Sequence, residues 1–153
     1  MFLQRNKNKQ TQSEQDSSCP LSYNGNGCAD IVNAEREKLG GPDELVVVWT
    51  SGDRDVALKM VFMYVLNAAL KGWWGKVSLV IWGPSAHLVA TDPILRSKIV
   101  EMKTAGVQLL ACQSCAEMYD VVLTLSSLGI DVKYMGEPLT GFLKDPRCRV
   151  MTF

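Results

Sequence analysis

Short runs of branched apolar residues alternate with helical stretches through most of this chain, and that alternation admits few architectures. Leu45-Val46-Val47-Val48-Trp49 is apolar at every position, the pattern of a strand covered on both faces. Ser51-Gly52-Asp53 then turns the chain, and Asp53 is placed to cap a helix reaching Lys71. The unit recurs. Val77 to Trp82 reads as a second strand, Gly83-Pro84-Ser85-Ala86-His87 as the loop after it, and Asp92-Pro93 as a cap followed by proline in the first helical turn. Gly106 stops that helix. Val107 to Ala111 is a third strand, Gln113 to Leu128 a third helix ended by Gly129, and Ile130 to Tyr134 a fourth strand. A short helical turn over Leu139 to Lys144 leads to a last strand, Arg149 to Phe153. This series predicts the α/β class, as a three-layer α/β/α sandwich around a mostly parallel five-stranded sheet with right-handed crossovers.

On the first helix, Asp55, Lys59, Asn67 and Lys71 fall on one side in a slowly winding stripe, because steps of four residues advance only about 40° around the axis. Nearly everything else is apolar, so the helix is expected to be buried on more than one side. One face covers the sheet, and another is expected to meet a second subunit. Trp73-Trp74, between Gly72 and Gly75, is read as closing the helix end against the core or a partner.

Composition changes at Gly40-Gly41-Pro42. Residues 1–40 form a polar N-terminal arm, poorly ordered to about residue 28 because it has too little apolar surface to offset chain entropy. A short helix over Asp30 to Leu39 follows, and residues 41–153 form the domain. The chain has 16 Lys and Arg against 16 Asp and Glu, and the two signs balance separately in the arm and in the domain. That excludes a basic nucleic-acid binder. No apolar stretch is long enough for a signal peptide or a membrane span. The chain is therefore expected in the cytoplasm, where thiols stay reduced.

Five Cys among 153 residues are too few for a disulfide scaffold. In sheets of the expected kind, ligand and catalytic groups gather at the carboxyl ends of the strands. That rule selects Ser51-Gly52-Asp53, Gly83 to His87, and Cys112 to Cys115. Cys112 ends the third strand, and Cys115 lies in the first turn of the next helix. A thiolate is an anion and is favoured at a helix start, so a depressed pKa is expected there. The plainer reading makes both cysteines small buried hydrophobes. A thioredoxin-like use is disfavoured, since the motif follows the third βα unit and no downstream proline is placed to serve as the cis-proline beside the thiols. Cys112 and Cys115 could also supply half a tetrahedral zinc site. The other ligands would come from Cys19, Cys28 or Cys148, and the spacing of Cys19 and Cys28 is not that of a zinc knuckle. No metal or cofactor is expected. Cys148, before the last strand, reads as structural. His87, the single histidine, is either a base or anion partner for Cys112 or a loop residue bonded to backbone. No P-loop or G-x-G-x-x-G follows any strand.

Residues 44–153 resemble the DsrE/DsrF-like family of sulfur-relay proteins. The similarity rests on the Val-rich first strand with Ser51-Gly52-Asp53, the glycine loop after the second strand, the segment Gly106-Val107-Gln108-Leu109-Leu110-Ala111-Cys112, and the closing strand Arg149 to Phe153. Cys112 occupies the place of the sulfur-carrying cysteine in the family's Gly-Val-x-Leu-x-x-Cys segment. The resemblance implies a cytoplasmic homo- or hetero-oligomer (dimer, trimer or hexamer) whose cysteine carries sulfane sulfur as a persulfide. Cys115 and the arm lie outside the family pattern. The expected function is a sulfur carrier or sulfurtransferase that takes sulfur onto Cys112 from a persulfide donor and passes it to an acceptor protein. Two alternatives remain: a non-catalytic oligomeric scaffold subunit, and a dithiol redox protein using Cys112 and Cys115.

Overall fold

The computed structural model describes residues 43–153. The predicted arm, the helix over Asp30 to Leu39, and Cys19 and Cys28 lie outside the described residues. From β1 (Glu44–Trp49) the chain enters a helix in three pieces: α1 (Arg54–Val56), a π-helical turn (Ala57–Val61) and α2 (Phe62–Leu70). Then come β2 (Lys76–Ile81), α3 (Pro84–Thr91), α4 (Pro93–Thr104) and β3 (Gln108–Cys112). The series closes with α5 (Gln113–Met118), α6 (Val122–Ser127), β4 (Asp131–Lys133), α7 (Gly136–Lys144) and β5 (Cys148–Thr152). The five strands make one sheet in the order β4-β3-β2-β1-β5, and every pairing is parallel. The predicted α/β/α sandwich is the observed fold.

Strand order decides which helices cover which face. The chain steps from β1 to β2 to β3 to β4 in one direction, so right-handed crossovers put those connections on one side. From β4 it must return past the whole sheet to pair β5 with β1, and α7 therefore lies on the opposite side. The core shows this division. Leu45, Val47 and Trp49 face the cluster containing Phe62, Val65 and Ile99. Their neighbours Val46 and Val48 face the cluster containing Met135, with Leu139 and Phe142 packed on it. Successive residues of β1 thus serve opposite layers, as the two-residue period requires, and both layers are dry.

Two local expectations are corrected. Gly83 to His87 is not a loop: Pro84 opens α3, and His87 lies within that helix. Gly83 supplies the turn at φ 69° and ψ −134°, a conformation that L side chains avoid. The third helix, expected to run unbroken from Gln113 to Leu128, ends at Met118. Asp120 stands at φ 55°, the Val121 N–H bonds the Ala116 carbonyl, and the Asp120 N–H bonds the Glu117 carbonyl. This is a Schellman closure. Asp tolerates the left-handed region better than most residues, which is why no glycine marks the break.

The first helix keeps its polar stripe, with Lys59 Nζ 2.8 Å from Asp55. Met60, Met63 and Leu70 on its outer side are exposed. Tyr64 and Trp73 pack with ring centroids 6.0 Å apart, and Trp74 is half-buried against the core. Among the described residues no helix is long and apolar enough to cross a membrane.

At the carboxyl edge, fully buried Ser85 ties two strand ends together. Its Oγ donates to the Trp49 carbonyl at 2.6 Å and accepts the Trp82 N–H at 3.0 Å. Ser85→Ala removes both contacts from a dry site and is expected to cost about 1–2 kcal/mol. Urea unfolding checks this, as a lower midpoint with an unchanged slope.

Candidate functional site

β3 delivers Cys112 to the carboxyl edge of the sheet as its last residue, in extended backbone (φ −71°, ψ 116°) that makes it the N-cap of α5. An N-cap side chain folds back over the first turn toward the third residue of the helix. That residue is Cys115. Cys112 makes no capping hydrogen bond; its side chain lines the same cleft as Cys115 and belongs to the same apolar cluster. Both thiols are free and nearly enclosed, at 5% and 6% exposure.

The electrostatics of Cys115 run against expectation. Burial pushes its thiol pKa up, the neighbouring Cys112 side chain pushes it further, and a hydrogen bond from the Gly83 N–H opposes both. Removal from water outweighs whatever the first turn of a six-residue helix offers an anion. Cys115 therefore holds its proton to a higher pH than a free cysteine does.

The pair opens onto a cleft of ≈ 480 Å³ whose walls include Trp82, Tyr134, Met135 and Glu137. The ends of β2, β3 and β4 and the start of α7 all contribute. A second, more apolar groove of ≈ 240 Å³, between α7 and the ends of β1 and β5, also has Trp82 in its wall. Trp82, Tyr134, Met135 and Glu137 were missing from the sequence-based site. Trp82 and Tyr134 each follow a strand directly, so the strand-end rule applied to every strand would have found them.

The other expected site residues go elsewhere. His87 is exposed on α3 and packs against Tyr119, ring centroids 5.5 Å apart; it is not in the cleft wall. Ser51-Gly52-Asp53 serves the fold: Asp53 caps α1 through the N–H groups of Asp55 and Val56, and the Ser51 hydroxyl accepts the Asp53 N–H at 3.0 Å. Cys148 is buried at the start of β5. Burial raises its pKa, and Glu44 adds to the effect. It is a packing residue, as the sequence suggested. In Cys112→Ser, the iodoacetamide reaction of Cys115 is expected to need a higher pH than that of free cysteine, because the burial that raises its pKa persists. Alkylation of the Cys115 peptide across a pH series measures this.

No family model matches the chain, and no curated protein does. A solved structure does match: that of a conserved protein of unknown function from Bacteroides thetaiotaomicron, at 38% identity and a TM-score of 0.70. The match covers 72% of this chain and 95% of that one. At that identity and coverage, the chain belongs to the same family as this conserved Bacteroides protein.

Proposed function

We propose that the protein is a sulfur carrier or sulfurtransferase of the DsrE/DsrF type, holding sulfane sulfur as a persulfide on Cys112. The observation that carries this reading is the thiol pair at the carboxyl edge of a parallel sheet, opening onto a cleft with room for a small donor or the tip of a partner. The resemblance of residues 44–153, with Cys112 at the family's sulfur-carrying position, agrees with it. Cys112 in its thiolate form attacks the outer sulfur of a donor persulfide. The donor thiolate leaves, and Cys112 becomes Cys112–S–SH. An acceptor thiolate on a partner protein then takes that outer sulfur and restores Cys112. A reducing compartment keeps both thiols available.

Reduced protein mixed with a low-molecular-weight persulfide and trapped at once with iodoacetamide is expected to carry one extra sulfur atom on its Cys112 peptide. Cys112→Ser is expected to carry none and to leave the donor unconsumed; equal consumption by both proteins overturns the reading. The carrier is also proposed to work as a homo-oligomer, with the Met60, Met63 and Leu70 face of the first helix as the surface between copies. Met63→Glu is expected to lower the sedimenting mass while leaving the circular dichroism unchanged.

A further inference from the structure

The carrier reading gives Cys115 no chemistry of its own, yet its surroundings are specific. It lines the same cleft as Cys112 and touches the same apolar cluster. It sits where an N-cap side chain meets the first turn of its helix. It is as enclosed as Cys112, at 6% against 5% exposure, so the group most readily offered to it is the side chain at the N-cap three residues before it. A nucleophile so placed has one natural electrophile, the sulfur of Cys112 itself.

We propose, building on the persulfide reading, that Cys115 is a resolving thiol that converts a Cys112 persulfide into an intramolecular disulfide and releases the sulfur as hydrogen sulfide. The Cys115 sulfur attacks the inner sulfur of Cys112–S–SH. The Cys112–Cys115 bond forms, the bond to the terminal sulfur breaks, and hydrosulfide leaves with the electron pair of that bond. The proton lost by Cys115 ends on the departing sulfide, so Cys112–S–SH and Cys115–SH become one disulfide and H₂S. The terminal sulfur is reduced, and the cysteine pair supplies the two electrons. A dithiol reductant then restores both thiols by exchange.

Three physical points favour attack at the inner sulfur. Cys115 stands in the helical turn that Cys112 caps and lines the same cleft, whereas the terminal sulfur of a persulfide projects one bond further out. Hydrosulfide is a weaker base than a cysteine thiolate, and the less basic leaving group departs faster. The Gly83 N–H, held at the turn into α3, bonds the Cys115 sulfur and steadies charge on it as the proton moves. Burial raises the pKa of that thiol, which holds Cys115 in reserve until a persulfide stands beside it. The protein is then a terminus that discharges sulfur when no acceptor arrives.

The test uses the full chain, reduced, loaded with glutathione persulfide and freed of excess donor before any reductant is added. Wild type is expected to release one sulfide per chain, and peptide mapping is expected to find a Cys112–Cys115 disulfide. Cys115→Ser is expected to keep the added sulfur on Cys112 and to release sulfide only at background. The disulfide map of the wild type needs no variant, so a poorly folded Cys115→Ser leaves the test intact. Wild type that holds the added sulfur with Cys115 still alkylatable, or a Cys115→Ser that releases sulfide as fast, overturns the resolving step and leaves the carrier reading standing. No added sulfur on either protein at the earliest time overturns the carrier reading itself, and the resolving step falls with it.

Discussion

Parallel pairing joined by right-handed crossovers is the constraint on which the rest of the molecule depends. Each step from β1 to β4 moves the chain one strand along and deposits its helix on the same face. The sheet can then be completed at β1 only by a return across the other face. That return makes α7 a long-range element, starting beside the ends of β3 and β4 and finishing near the start of β5. Its first residues, Gly136 and Glu137, become the far wall of the cysteine cleft. A connection on the other side would leave Cys112 at the same strand end with no wall opposite.

Packing and chemistry meet at this edge. Ser85 holds the ends of β1 and β2 in register, and Gly83, two residues earlier, turns the chain so that its N–H reaches Cys115. One tight turn thus serves both the sheet and the thiol pair. Cys112 ends a strand, and Cys115 is tucked into the first turn of the next helix, where loss of water raises its pKa.

Much of this was legible in the sequence. The β-branched run at Leu45–Trp49 and the Asp92-Pro93 cap specify their elements locally, and the order of strands and helices fixes the fold class. The break after Met118 was hidden because Asp120 fills a position that glycine usually marks. α7 starts at Gly136, three residues before the helical turn expected from Leu139, with Pro138 in its first turn, where proline is compatible with a helix. Cys112 and Cys115 were found by the strand-end rule, and their nearness follows from N-cap geometry. Trp82 and Tyr134 were within reach of the same rule, whereas Glu137 comes beside Cys112 only because α7 starts there. His87 was drawn toward the cysteines by its position after β2, yet a helix starting at Pro84 carries it outward to Tyr119. The raised pKa of Cys115 reflects three-dimensional burial, which spacing alone does not report.

The sheet also has two open borders. β4 is three residues long and carries the Asp131–Lys133 ion pair, with Nζ 2.7 Å from the carboxylate; β5 carries exposed Arg149. Short, charged borders discourage another chain from adding a strand. Among the described residues, most of the exposed large apolar side chains stand on helices, Met60, Met63, Leu70 and Leu123 among them, although Met151 is exposed on β5. Such borders work against the open-ended strand ladders that lead to fibrils.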